Sequence, residues 1–258
     1  LPLLCATHEG EAAVKKFVMI GDHKQLPAVV QQPMERSAVN DEKLLNIHLK
    51  DCRLSLFERL LARYGKNPRF AYMLTKQGRM HSEIAQFPNL SFYNHKLDVV
   101  PLPHQQRNLP LQSKHPNGIQ QLLDTQRLAF IAVASPSEAA FVADKVNQCE
   151  ADAMPAIVAQ IYERHMGEET TGVKRIGIIV PYRNQIATVR TTLAQQNIPS
   201  HEEITIDTVE RFQGSQRDYI LFGFTIQRYY QLDFLTSNCF MEDGQVIDRK
   251  LHVAMTRA

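Results

Sequence analysis

The stretch Gly21-Asp22-His23-Lys24-Gln25-Leu26-Pro27 follows the apolar run Phe17-Val18-Met19-Ile20. It sets a carboxylate and an amide three positions apart where that run ends. The amide of Gln25 both donates and accepts, which suits it to register a phosphate oxygen or a water poised to attack one. Further along, Gln77-Gly78-Arg79-Met80-His81 carries a guanidinium, whose forked donors match phosphate oxygens. Val180-Pro181-Tyr182-Arg183 ends another apolar run. There Tyr182 can stack on a base and Arg183 can touch a phosphate, although a core tyrosine beside a solvated arginine is an equal reading. Thr208-Val209-Glu210-Arg211-Phe212-Gln213-Gly214 leads from a polar strand end to a glycine that lets a ligand approach the backbone. Val253-Ala254-Met255-Thr256-Arg257 adds a further guanidinium. The chemistry common to these clusters is the handling of phosphates. The plainer alternatives are a polar turn at Gly21–Pro27, a surface salt bridge at Arg79 and a helix-face arginine at Arg257.

Short elements must position these residues. Phe17–Ile20 has the uninterrupted apolar character of a buried parallel strand, and open α/β sheets bind ligands at the carboxyl ends of such strands. Residues 31–54 read as loop with a short helix. Ser55-Leu56-Phe57-Glu58 is a capping box opening a helix whose stripe is Leu56, Phe57, Leu60, Leu61 and Tyr64, with Gly65 as the stop. Residues 98–126, with Pro101, Pro103, Pro110 and Pro116, read as a long irregular connection. Leu128–Ala134 is expected to be a buried strand. Ser135-Pro136-Ser137-Glu138 opens a helix, and Pro155 is expected to split that helical region in two. Ile176–Val180, Ile204–Thr208 and Tyr219–Thr225 read as strands, with a helix carrying Ile186, Val189 and Leu193 between the first two. This alternation predicts an α/β fold, a parallel sheet with helices on both faces.

Bulk properties narrow the function classes. With 44% hydrophobic and 22% charged residues, the 258-residue chain has the composition of a soluble globular protein. It contains no apolar run near the ~20 residues of a membrane helix, so no membrane partner is expected. A net charge of +2 and a pI of 8.3 do not mark a dedicated nucleic-acid domain, so any such contact rests on local clustering. Cys5, Cys52, Cys149 and Cys239 are widely spaced. That argues against a zinc site or a disulfide framework and fits a cytoplasmic location.

The five clusters, in this order, resemble the motifs of superfamily 1 helicases, in the branch that contains RNA-surveillance and DNA-replication helicases. The resemblance covers essentially the whole chain and is weakest over 98–126. It implies a RecA-like fold, with residues 1–68 the end of a first RecA-like domain and 69–258 a second, truncated at its C-terminal end. It implies ATP as cofactor, with Gly21, Asp22, Gly214 and Gln216 at the nucleotide. Gln25 and Arg79 would reach the γ-phosphate, and Arg257 would act as an arginine finger. Pro181, Tyr182, Arg183 and Thr208 would face single-stranded DNA or RNA. Three positions depart from the family pattern. Gly78 replaces a tyrosine that stacks on adenine, Gln216 replaces a ribose-binding glutamate, and His252 replaces an asparagine.

The Gly-x-x-x-x-Gly-Lys-Ser/Thr loop that wraps phosphates is absent from these residues. Gly65-Lys66 is followed by Asn67, and Leu60 stands where the first glycine belongs. The resemblance therefore implies that the phosphate loop and the main Mg2+ ligands belong to an upstream half of the first domain. That half is then a required partner, this chain contributes no metal site, and it is inactive by itself. The competing expectation is a degenerate helicase-like module that binds nucleic acid or protein without unwinding.

Overall fold

The computed structural model describes residues 2–109, 118–133, 145–166 and 172–258. The chain divides into two units, one formed by Leu1–His23 with Pro27–Met73, the other by Lys24–Leu26 with Leu74–Ala258.

The first unit is sparse in regular structure. A hairpin of β1 (Thr7–His8) and β2 (Glu11–Ala12) turns through Glu9 and Gly10. Both turn residues have left-handed φ, 53° and 83°. Helix α1 spans Glu42–Asn46 and α2 spans Leu56–Tyr64. The Ser55 hydroxyl accepts from the Glu58 amide at 3.1 Å and the Glu58 carboxylate accepts from the Ser55 amide at 3.0 Å. This is the capping box expected from the sequence, and Gly65 is the C-cap. Phe17–Ile20 is a correction. It forms no strand, and Val18 and Ile20 are 87% and 89% exposed. An apolar run becomes a strand only where a neighbour supplies ladder hydrogen bonds, and no described strand pairs with this one.

The second unit is built on a parallel sheet. Strands β3 (Lys76–Gln77) and β4 (Asp98–Val99) form a short parallel pair, with α3 (Ser82–Phe92) between them. Helices α4 (Pro103–Gln106), α5 (Gly118–Thr125) and α6 (Gln148–Arg164) follow. The main sheet has β5 (Ile176–Ile179) at its centre, flanked in parallel by β6 (Thr205–Asp207) and β7 (Tyr219–Phe222). Helix α7 (Arg183–Gln195) joins β5 to β6, and α8 (Val209–Phe212) follows β6. After β7 come α9 (Leu232–Leu235), a hairpin of β8 (Cys239–Glu242) and β9 (Gln245–Asp248), and α10 (Arg249–Met255).

The period-two alternation of β5 divides its side chains between two helical layers. Ile176 and Ile178 pack with Met154, Val158 and Ile161 of α6 and with Val189 and Leu193 of α7. Ile179 packs on the opposite side with Val209 and Phe212 of α8 and Val253 and Ala254 of α10. Gly177 shares that second face. A Cβ there would lie 2.7 Å from the Phe212 ring, so only glycine lets the ring close onto the strand. The chain is thus a mixed helix-and-sheet protein with small parallel sheets.

Three further expectations are corrected. Helix α6 runs unbroken through Pro155. An interior proline costs ~3 kcal/mol, whereas Met154, Val158 and Ile161 are each buried and contribute ~1.5–3 kcal/mol apiece, so burial outweighs the break. Residues 128–133 form no strand and Phe130 is 80% exposed, again with no described strand alongside. The stretch 98–126 is more regular than its prolines imply, since it holds β4, α4 and α5. Ala134 and the helix start at Ser135–Glu138 lie outside the described residues, as do Pro110 and Pro116. Among the described residues no helix is long and apolar enough to cross a membrane.

Candidate functional site

Arg79 stands on a turn that side-chain amides hold in place. The Gln77 side-chain oxygen accepts from the amides of Arg79 and Met80 at 3.0 and 2.8 Å. Buried Gln105 donates to the carbonyls of Gln77 and Met80, both at 3.0 Å. The His104 imidazole lies 3.0 Å from the Gly78 carbonyl oxygen, so a ring stands beside the glycine that replaces the family's tyrosine. From this turn the Arg79 guanidinium donates to the Gln216 side-chain oxygen at 3.0 Å and to the Thr256 carbonyl at 3.1 Å.

Thr256 is where the second guanidinium arrives. Arg257 follows α10 and is 2% exposed. Its Nε donates to the Val253 carbonyl at 2.9 Å and an Nη donates to the Thr256 hydroxyl at 2.9 Å. Burial, reinforced by the neighbouring Arg79 charge, pulls its pKa down to about 10. Among the described residues the acceptors of these two cations are carbonyls, an amide and a hydroxyl, with no carboxylate. The two guanidiniums thus share Thr256, one through its carbonyl and the other through its hydroxyl.

The residues around Gly214 close on the same place. Gly214 has a left-handed φ of 89°, and the space a Cβ would enter is open to 4 Å. Two residues later Gln216 meets Arg79, and the Arg217 amide donates to the Arg257 carbonyl at 3.0 Å. Gln25 is held by the bonds of its neighbours. The Lys24 carbonyl accepts from Nδ1 of His252 at 2.8 Å, and the Leu26 carbonyl accepts from the Gln213 amide at 3.4 Å.

His252 is fully buried and its Nε2 meets the Tyr93 hydroxyl at 3.0 Å. A carbonyl only accepts, so Nδ1 carries a proton. The Lys24 ammonium forms an ion pair with Glu242 of β8 and donates to the Phe92 carbonyl at 2.7 Å. Lys24–Leu26 therefore docks between α3, α8 and α10. Gln25, Arg79, Gly214, Gln216 and Arg257 all belong to the second unit. Gly21 and Asp22 belong to the first, where the Gly21 Cα faces the Phe57 ring, 3.6 Å from an added Cβ.

Pro181, Tyr182, Arg183 and Thr208 line one cleft of about 520 Å³ at the carboxyl edge of the main sheet. Val180 donates to the Asp207 carbonyl at 3.1 Å, which keeps the ends of β5 and β6 level. Five other lining residues were not singled out from the sequence as strand-binding: Lys145, Asn184, Glu210, Arg211 and Phe234. The Phe234 ring stacks on Tyr182 with centroids 4.9 Å apart and planes at 27°. Lys250, buried beneath, lies 3.7 Å from the Phe234 centroid and donates to its carbonyl at 3.1 Å. Burial lowers the Lys250 pKa, with Glu210 opposing.

Behind the cleft a buried network braces the exit of β7. Gln185 and Asn147 exchange two hydrogen bonds of 2.8 and 2.9 Å. The Glu150 carboxylate accepts from the amide of Thr225, a residue at φ 57°, at 2.8 Å. Burial raises the Glu150 pKa, and the amides of Thr225 and Ile226 and the Asn147 side chain oppose it. Among the described residues no group of three or more His, Cys, Asp or Glu side chains is arranged to hold a metal ion.

Residues 52–258 match the family model described as "AAA domain". A probable helicase of Dictyostelium discoideum is 31% identical over 81% of this chain and 18% of its own length. Regulator of nonsense transcripts 1 of the same organism is 30% identical over 95% of this chain and 16% of its own. DNA polymerase alpha-associated DNA helicase A of Saccharomyces cerevisiae is 26% identical over 94% of this chain and 32% of its own. The chain thus spans less than a third of the length of these relatives.

Proposed function

The chain belongs to the superfamily 1 helicase branch of the AAA-domain family, and we propose that it is the C-terminal motor portion of an ATP-dependent helicase acting on single-stranded DNA or RNA. On this reading residues 69–258 are a second RecA-like domain and residues 1–68 the end of a first. The observation that carries it is the meeting of Arg79 and Arg257 at Thr256, with no carboxylate among their acceptors in the described residues. That donor set fits a triphosphate. ATP, when bound with Mg2+, supplies a γ-phosphoryl group for transfer to water.

This chain's residues then hold charge and transmit its presence. Arg257 stabilises negative charge that builds on the phosphoryl oxygens, a contribution of ~10³–10⁵ in rate for comparable arginines. Arg79 holds the same oxygens, with Gln216 steering its guanidinium. Gly214 gives the backbone close access to the nucleotide. Gln25 senses the phosphate end, and the docking of Lys24–Leu26 onto His252 links that sensor to the helix that precedes Arg257. The phosphate loop is not among these residues, so hydrolysis requires that loop from outside them, and this chain alone binds nucleotide without turning it over. Tyr182, Arg183 and Thr208 grip the strand, and Pro181 fixes the turn that presents them.

The test is the ATPase rate of the full-length protein with and without single-stranded oligonucleotide. Stimulation that disappears in Arg257→Ala is the expected result. A rate indifferent to both the oligonucleotide and the substitution overturns the reading.

A further inference from the structure

We propose that Gln105 is a positioning residue for Arg79, so that α4, which lies outside every motif, sets where the Arg79 guanidinium meets phosphate. This role rests on the helicase reading and adds to it a residue that acts through Arg79 without touching the nucleotide.

The turn Gln77–Met80 carries Arg79 away from the end of β3, and its backbone is held from two sides. From within, the Gln77 side chain accepts from the amides of Arg79 and Met80 and donates to the Met80 carbonyl at 2.9 Å. From α4, the Gln105 side chain donates to the Gln77 and Met80 carbonyls, both at 3.0 Å. A primary amide has two N–H bonds, so one goes to each carbonyl. The neighbouring His104 ring meets the Gly78 carbonyl at 3.0 Å. Two consecutive residues of one short helix thus hold the carbonyls of residues 77, 78 and 80, and Arg79 stands among them.

The plainer role for a buried glutamine is to satisfy carbonyls that burial would leave unpaired. Here that need is already met. The Gln77 carbonyl also accepts from the Val100 amide at 3.0 Å, and the Met80 carbonyl accepts from the Gln77 side chain. Gln105 is only 1% exposed, so its amide is desolvated to make second bonds to acceptors that have a first. What the second bonds add is a fixed distance across the turn.

A four-residue helix does not hold itself, and α4 is tied at both ends. The Leu102 amide donates to the Val100 carbonyl at 2.7 Å, next to the β3–β4 pair. The Arg107 carbonyl accepts from the Arg127 guanidinium, which lies 3.7 Å from Glu83 of α3. A Cβ on Gly78 would come within 3.3 Å of the Leu102 side chain, so the start of α4 is packed against the turn. The bonds from Arg79 to Gln216 and to the Thr256 carbonyl aim its exposed head. They do so only from a fixed backbone origin, and a group that binds through directed bonds has to be held to within about 0.5 Å.

The experiment is a double-mutant cycle on the full-length protein, read as affinity for inorganic tripolyphosphate by calorimetry. This probe carries phosphates without base or sugar. Gln105→Leu should bind it about 5- to 50-fold more weakly, less than the loss in Arg79→Ala, because misplacing charge-assisted bonds forfeits part of them. In the Arg79→Ala background the same substitution should cost less than about 2-fold. Equal factors in the two backgrounds overturn the proposal, since a general loss of structure does not depend on Arg79. Affinity for a single-stranded oligonucleotide, read by anisotropy without nucleotide, should be unchanged in Gln105→Leu, and a parallel loss there also overturns it. Should Gln105→Leu not fold, His104→Ala decides at an exposed position. It should weaken tripolyphosphate binding by about 2- to 10-fold, and unchanged affinity overturns the proposal. Failure of the underlying reading looks different. Unaltered protein that does not bind tripolyphosphate, or Arg79→Ala that binds it undiminished, removes the phosphate role of Arg79 and this proposal with it.

Discussion

Replacing Arg257 with methionine should leave the chain as stable as before, or less so, while removing its response to polyphosphates. The estimate follows from the burial of the guanidinium. Its pKa stands at about 10 against an ordinary 12.5. At ~1.4 kcal/mol per pH unit the folded chain disfavours the charge by about 3 kcal/mol. The sign is set by both values lying above neutrality. At pH 7 the group is charged folded and unfolded, so the penalty is fully present and is relieved only as pH rises through about 10. Methionine fills similar space without charge, but forfeits the bonds to the Val253 carbonyl and the Thr256 hydroxyl. Those are charge-assisted bonds, with net contributions of ~1.5–3 kcal/mol each. The balance is a loss of roughly 0–3 kcal/mol, or up to about 12 °C in Tm for a domain of this size. Thermal melts with and without ATP or tripolyphosphate make the measurement. The unaltered chain should gain about 2.7 kcal/mol at a ligand concentration of ~100 Kd, and Arg257→Met should gain far less. A rise of several degrees in the unliganded Tm of Arg257→Met refutes the reasoning, because the two bonds would then contribute less than the desolvation that accompanies them. An undiminished polyphosphate shift refutes it equally.

Three further outcomes are expected. Arg79→Ala should shift Tm by no more than about 2 °C, since its head is exposed. Loss of charge-assisted bonds of ~1.5–3 kcal/mol should weaken ATP binding by about 10- to 150-fold, measured by calorimetry. Glu150→Gln tests a partly buried carboxylate whose pKa is raised above 4.5. The folded chain then holds its proton more tightly than the unfolded chain, so stability falls as pH climbs from 4.5 through the raised value. Melts across that window should show a shallower fall for Glu150→Gln than for the unaltered chain, and parallel curves count against the assignment. Gly177→Ala should reduce unfolding free energy by ~1–3 kcal/mol in urea titrations, because the new methyl meets the Phe212 ring at 2.7 Å and Ile220 at 2.9 Å.

Some of this was legible without coordinates because the physics is local. The capping box at Ser55 and Glu58 needs only four consecutive residues, and it forms as read. The apolar runs at Ile176, Ile204 and Tyr219, punctuated by polar ends, lie where β5, β6 and β7 lie. The same signal misled at Phe17–Ile20 and Leu128–Val133, which are equally apolar and lack a ladder. Apolarity says that a run favours burial, not whether a neighbour is present to bury it. Pro155 misled for the complementary reason, since a local preference of a few kcal/mol gave way to the packing of α6 on the sheet.

The residue types and spacing of the motifs determined the kind of chemistry, phosphate handling at strand ends and helix ends, because donors and acceptors are properties of side chains. Only the tertiary structure decided that Arg79 bonds to Thr256, a residue 177 positions away, and so stands beside Arg257, with no carboxylate among the acceptors of either in the described residues. It alone decided that Phe234, outside every motif, lies against Tyr182 over a buried lysine. Contacts between distant segments depend on how the sheet and its two helical layers fold the backbone back on itself, and side-chain identity along the chain carries little record of that path.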